Sequence, residues 1–306
     1  MRINYAPAMT ALLLLFLCLA LGLLVARYFS PPPGLAQNLN WWVLNIALPA
    51  LVLDLMPRIH LDPHLWFLVA AMWLVFLGAW LLFALLGRQL GWSRGRIGAL
   101  ILVAGLGNTS FMGYPMIEAL RGKDGLALAV IADQIGTFVA LAVGGVAVTA
   151  VYAGRTLMPA EVLRRILLFP SFIALIGGIV AGAFGGWPEP LHLVLERIGA
   201  SLTPLALFSV GLQFRLHLGR SQIGALSLGL GWKMLAAPLL CYLLAVGTGV
   251  SGLVLTVGVL QAAMAPMISA AILADQYGLE PPLANTVLGA GILLSLLTVP
   301  LANMLL

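Results

Sequence analysis

Charge is what this chain has least of. It carries 15 basic and 10 acidic residues in 306, so 8% of the sequence is charged while 62% is hydrophobic. Soluble domains carry about 25% charged residues, and no hydrophilic stretch here is long enough to form one. The chain therefore reads as an integral membrane protein, with the lipid bilayer as its first partner. Its two cysteines, Cys18 and Cys241, both fall inside apolar runs, which excludes a disulfide framework and leaves small packing residues. The histidines His60, His64, His192 and His217 are scattered over loops and run ends, so no metal site is expected. HExxH, GxSxG and the Gly-rich phosphate loop with its Lys-Ser/Thr are all missing, which argues against an enzyme and against a resident cofactor. The net charge of +5 lacks aromatic-interleaved basic patches, so nucleic acid is not a partner either. Basic loops of membrane proteins account for the charge.

What the chain does have is long apolar runs. Ten predicted spans can be drawn: Met9–Tyr28, Leu35–Met56, Leu65–Leu86, Ile97–Ala119, Leu126–Tyr152, Ile166–Phe184, Leu193–Phe214, Ile223–Val246, Leu253–Ala274 and Leu283–Leu305. The first is long enough to cross a bilayer and lacks a basic leader and a small-x-small cleavage site, so it is read as a helix rather than a signal peptide. The longest hydrophilic connection, Ala153 to Arg165, divides the spans into two sets of five. Leu48-Pro49-Ala50-Leu51 in the second span matches Thr203-Pro204-Leu205-Ala206 in the seventh, and Pro115-Met116-Ile117 matches Pro266-Met267-Ile268, at offsets of 155 and 151 residues. Because five is odd, a duplicated unit of this size is inverted in the membrane. Arg27, Arg88, Arg94, Arg96, Arg155, Arg164, Arg165, Arg215 and Arg220 follow odd-numbered spans and outnumber Arg2, Arg58, Arg121, Lys123 and Arg197 on the other side. The positive-inside rule then places both termini on the non-cytoplasmic side.

Two spans are interrupted. Gly105-Leu106-Gly107-Asn108-Thr109-Ser110-Phe111-Met112-Gly113-Tyr114-Pro115 lies inside the fourth, and Gln261 and Pro266 lie inside the ninth. Proline in a helix interior costs about 3 kcal/mol and glycine about 1. In hydrocarbon each freed backbone group needs a partner, so such breaks persist only where protein or a wet cavity surrounds them. Paired interrupted spans in corresponding halves point to a transporter's midplane site. Pro115 and Pro266 would each begin a new half-helix, whose free N–H groups suit an anion. Asn108, Thr109, Ser110 and Gln261 would add uncharged donors and acceptors. A kink between packed helices is the bland alternative; the cluster of small and polar residues favours a site.

Ionisable residues inside spans cost about 2.5–3.5 kcal/mol on insertion scales. Lys233 in the eighth span and Asp133, followed by Gln134, in the fifth are the clearest cases. A Lys233–Asp133 pair would lower that cost and could serve as a proton-linked switch or merely join two helices. Asp54 and Asp275, near span ends, read as solvated, with Asp275 kept as a minor coupling candidate. The spacing of Gly178 and Gly182 reads as close helix packing.

Asn108-x-x-Phe111-x-Gly113-x-Pro115 within ten spans resembles the auxin efflux carrier family in its bacterial branch. Ala47-Leu48-Pro49-Ala50-Leu51, Leu207-Phe208-Ser209-Val210-Gly211-Leu212, Lys233 through Pro238, Gln261-Ala262-Ala263-Met264-Ala265-Pro266 and Ala274-Asp275-Gln276-Tyr277-Gly278 also fit. The resemblance implies an all-α membrane fold shared with bile-acid sodium symporters, with two inverted five-helix repeats (1–153 and 166–306, linker 154–165) and broken, crossing fourth and ninth helices. It implies a scaffold panel of spans 1, 2, 6 and 7 and a transport domain of spans 3–5 and 8–10. It further implies secondary transport of a small organic anion, a malate-, malonate- or auxin-like carboxylate, across the inner membrane by alternating access. Carried over to this chain, the substrate site comprises Asn108, Thr109, Ser110, Gly113, Pro115, Gln261, Met264 and Pro266. Asp133, Lys233 and Asp275 are the coupling or charge-pair candidates, H+ or Na+ the candidate coupling ion, and a homodimer the candidate assembly. The sequence departs from the family in lacking the long loop of plant members and an asparagine in the ninth span matching Asn108. A channel or facilitator for small solutes is the rival reading; polar residues confined to two breaks, rather than a continuous stripe, favour a carrier.

Overall fold

The computed structural model describes residues 6–59, 62–154, 159–214 and 222–306, without the side chains of 6–12 and Pro159. Arg2, His60, Arg155, Arg215, His217 and Arg220 lie outside the described residues. Every named element among them is helical, and extended pairing is confined to one isolated bridge. Among the described residues, six helices are long and apolar enough to cross a bilayer: Leu35–Arg58, Pro63–Gln89, Gly113–Ala153, Glu189–Gln213, Ile223–Gly247 and Pro281–Leu305. The helix Ala6–Tyr28 and the shorter Arg94–Gly105, Pro170–Ala183, Gly252–Ala262 and Ile268–Gln276 are further helices at the expected spans. This is the architecture of a multi-pass membrane protein.

Local chemistry explains where the helices end. The loop expected between the fourth and fifth spans is a single residue, Gly122 (φ 68°, ψ −167°), at which the 41-residue segment Gly113–Ala153 changes direction. Only glycine adopts that backbone cheaply. The expected sixth span begins later than Ile166, because Pro170 starts the helix Pro170–Ala183 at its first position. A preceding amphipathic helix, Ala160–Leu167, meets it at 56°.

The chain forms two compact units. The first comprises Met1–Asp62, Ser110–Val130 and Ile166–Phe214; the second comprises Pro63–Thr109, Ile131–Arg165 and Arg215–Leu306. Ser110–Val130, part of the expected transport domain, thus groups with spans 1, 2, 6 and 7. Glycine contacts hold the first unit together. A Cβ on Gly22 would stand 2.2 Å from the Phe208 carbonyl oxygen, and one on Gly211 would stand 2.4 Å from that of Leu19. Gly178 and Gly182 pack as their spacing suggests, against Met56 and Pro57 at 2.7 and 2.8 Å by the same measure. In lipid, such backbone approach is the main source of helix association.

Asp54 corrects the sequence expectation. It is buried, 4% exposed, and its carboxylate pairs with His192, whose other ring nitrogen meets Arg58. A partner 138 positions away in sequence makes burial affordable where a lone carboxylate would stay in solvent.

Aromatic rings set against glycines organise the second unit. Phe67 fits over Gly258, Phe76 over Gly144 and Trp232 over Gly78, each at a distance no added Cβ would tolerate. Trp232 also donates to the Val75 carbonyl at 3.3 Å. At one end, Arg96 donates to both carboxylate oxygens of Glu280, at 2.8–3.1 Å.

Candidate functional site

Both expected breaks are present, and they meet within the second unit. The helix Arg94–Gly105 ends at Leu106, which is extended (φ −111°, ψ 122°), and the helix Ile268–Gln276 is preceded by extended Met267 (φ −78°, ψ 132°). The two extended pieces run antiparallel, with Gly107 opposite Pro266. Asn108 N–H donates to the Ala265 carbonyl at 2.7 Å, and Met267 N–H donates to the Leu106 carbonyl at 3.0 Å. Backbone groups released by one break are therefore satisfied by the other, which is what a non-helical segment in an apolar interior requires.

Pro266 does not start a half-helix; the helix begins at Ile268, two residues later. Its place in the bridge explains why. In an antiparallel pair, alternate residue pairs exchange no hydrogen bonds, and Gly107–Pro266 is such a pair, so the missing N–H of proline leaves nothing unpaired. Gly107 lies opposite it, where a Cβ would stand 2.9 Å from Lys233 Nζ, the end of a flexible side chain, and in ordinary contact, 3.5 Å, with the Gln261 carbonyl oxygen. Gly291, in the helix Pro281–Leu305, is required behind the proline ring, whose Cδ would lie 2.2 Å from an added Cβ.

Side chains surround the bridge on several elements. Gln261 Nε2 donates to the Thr109 carbonyl at 3.2 Å, tying the ninth-span break to the fourth. The Thr109 hydroxyl donates to Asp133 Oδ1, and Gln134 Nε2 donates to Asp133 Oδ2 at 2.7 Å. Lys233 Nζ donates to the carbonyl of Ala262, the last helical residue before the ninth-span break, at 3.0 Å. Thr109 and Gln261 are fully buried, and Asn108, Asp133, Gln134 and Lys233 are at most 2% exposed. Asp133 and Lys233 each lie in a π-helical turn, Ala132–Thr137 and Trp232–Ala236, a local widening that is frequent at functional sites.

The structure thus brings together Asn108, Thr109, Gln261, Met264 and Pro266 with Asp133 and Lys233. The last two form no ion pair with each other among the described residues: each is held by a different partner. Asp275 is exposed near the end of Ile268–Gln276, away from this cluster. Ser110, Gly113 and Pro115 belong to the first unit, where they are buried and open the following helix; Tyr114 N–H donates to the Ser110 carbonyl at 3.2 Å. Pro115 is the third residue of the helix that starts at Gly113, not its first as the sequence suggested.

Sequence reasoning missed Gln134, Gly107 and Gly291 as supporting residues. It also missed Thr137, whose buried hydroxyl has no hydrogen-bond partner among the described residues. Gln134 and Thr137 carried a signal, as polar residues at one and four positions from a buried carboxylate; Gly291 carried none.

A family model described as membrane transport protein matches residues 7–302. An uncharacterized transporter of Methanothermobacter thermautotrophicus is 25% identical over 276 residues, 89% of each chain. An uncharacterized transporter of Methanocaldococcus jannaschii is 29% identical over 234 residues, 72% of each.

Proposed function

Because this chain belongs to the membrane transport protein family, the auxin efflux carrier family it resembles, we propose that it is a secondary transporter of a small organic anion. The substrate is a mono- or dicarboxylate, carried across the cytoplasmic membrane by alternating access. The observation that supports this reading best is the bridge between the two breaks, ringed by buried polar side chains of the second unit. An apolar anchor or a simple kink has no use for Asn108, Thr109, Gln261, Asp133 and Lys233 at one place. A solute borrowing hydrogen bonds there would meet Asn108, Thr109 and Gln261, with Met264 as apolar wall.

Electrostatics supports coupling to a cation. Charged Lys233 and charged Asp133 together add no net charge, so a carboxylate entering alone would leave one uncompensated negative charge in a low-dielectric site. A co-transported H+ or Na+ removes that penalty, which amounts to several kcal/mol for an isolated buried ion. Asp133, already gathering donors from Thr109 and Gln134, is the group to receive it. In this account ten spans form two inverted repeats, both termini face away from the cytoplasm, and spans 3–5 and 8–10 move the site past a panel of spans 1, 2, 6 and 7.

Counterflow separates this reading from a channel. Proteoliposomes loaded with an unlabelled carboxylate should transiently concentrate the labelled form, with saturable kinetics. Flux that is linear in concentration and shows no counterflow overturns the carrier reading.

A further inference from the structure

A second polar site lies in the same unit, at one end of its helices. The helix Pro63–Gln89 is closed by Gly91 in the left-handed conformation (φ 65°), with Trp92 N–H donating to the Gly87 carbonyl at 2.8 Å. That six-residue closure is a standard helix stop. It delivers Ser93 to cap the next helix, its side chain accepting from Arg96 N–H at 3.1 Å. Between this turn and the end of Gly113–Ala153 is a cavity of about 440 Å3, lined by Gly87, Arg88, Trp92, Arg94, Val151 and Tyr152 among others.

Its chemistry is one-sided. Two guanidinium groups face it and, among the described residues, no acidic residue lines it. The third arginine of the turn, Arg96, is already neutralised by Glu280. Arg94 is steadied by donating to the Val151 carbonyl, and Tyr152 packs its ring against Trp80 at 6.3 Å. The apolar surroundings continue away from the cations: Leu81, Leu85 and Val151 are 64%, 52% and 48% exposed. Leu81 and Leu85 share a helix face with Arg88, at spacings of seven and three residues.

We propose that this cavity binds the phosphate of an anionic phospholipid, with acyl chains along the Leu81–Leu85 face. Arginine pairs with phosphate through parallel N–H donors. Tryptophan and tyrosine sit at headgroup level, and basic pockets between membrane helices on the cytoplasmic side take such headgroups. The exposed leucines favour a lipid over a free anion, because a free anion gains nothing from them. This inference does not depend on the transport reading.

Native mass spectrometry of the detergent-purified full chain, relipidated with phosphatidylglycerol or phosphatidylcholine, tests it. The protein should retain phosphatidylglycerol in preference to phosphatidylcholine. Arg88→Gln should weaken that retention roughly tenfold, the loss of one charged hydrogen-bonding partner. Arg88→Gln/Arg94→Gln should abolish the preference. Arg88 is exposed, so the single variant should keep its melting temperature in phosphatidylcholine, which separates lost binding from lost fold. Equal retention of both lipids, or an Arg88→Gln variant that keeps the full preference, overturns the proposal. So does an equal melting-temperature rise with inorganic phosphate alone, which would assign the cavity to a soluble anion.

Discussion

Gly291→Ala should damage the candidate site from behind without touching any polar group in it. The added Cβ would lie 2.2 Å from Cδ and 2.7 Å from Cγ of Pro266. Carbons rest about 3.5–4.0 Å apart, so the ring must retreat by more than ~1 Å. Proline cannot rotate out of the way, because the ring is part of its backbone. The bridge would have to move with it, stretching Asn108 N–H to Ala265 from 2.7 Å and Met267 N–H to Leu106 from 3.0 Å. Overpacking costs about 1–3 kcal/mol and each broken backbone bond about 0.5–1.5. Breaking the bonds relieves part of the strain, so the expected loss is about 2–4 kcal/mol. Gly231→Ala is the matched control. It lies two residues from Lys233, with nothing within 4 Å of the new Cβ, and should be neutral or gain up to about 1 kcal/mol in helix propensity. Thermal unfolding of the purified protein in detergent reads the stability, and carboxylate counterflow reads the site. If Gly291→Ala melts with the parent protein and transports at its rate, the bridge is not a constrained element and the reasoning fails.

Other substitutions probe separate contacts. Thr109→Val removes the hydroxyl that donates to Asp133 and should destabilise by about 1.5–3 kcal/mol, the range for a hydrogen bond to a charged group, while Thr109→Ser restores the melting temperature. Lys233→Met keeps the volume but leaves the Ala262 carbonyl without its donor; counterflow should fall at least tenfold (~1.4 kcal/mol) while the protein still elutes as a folded species by size exclusion. Gly22→Leu places a side chain where the Phe208 carbonyl stands and should lower the melting temperature much more than Gly177→Ala, whose nearest neighbour is a leucine methyl at 3.5 Å. Arg96→Gln should cost no more than about 1 kcal/mol, because its pair with Glu280 is about a quarter exposed and screened by solvent.

The two breaks were legible in the sequence because glycine, proline and small polar residues in an apolar run contradict a plain helix. That they would pair with each other was legible only as an expectation of the family resemblance, since chain position does not specify which freed carbonyl meets which N–H. The role of Pro266 was misplaced for the same reason. A proline suits the first helical turn and a non-bonded bridge position equally well, and only Gly107 across from it decides between them. Lys233 and Asp133 were visible as costly buried charges, but each found a nearer neutral partner, a carbonyl and a threonine–glutamine pair. Asp54 looked solvated because His192 is remote in sequence. Gly178 and Gly182 were readable because contact between helices through small residues follows from spacing alone.

The central claim is that the bridged breaks hold the transported solute. It is tested most directly by equilibrium binding and counterflow of labelled carboxylates with Asn108→Ala and Gln261→Ala. The account predicts folded proteins in which both affinity and counterflow drop together for every accepted substrate. Unchanged binding and transport in both variants would contradict it.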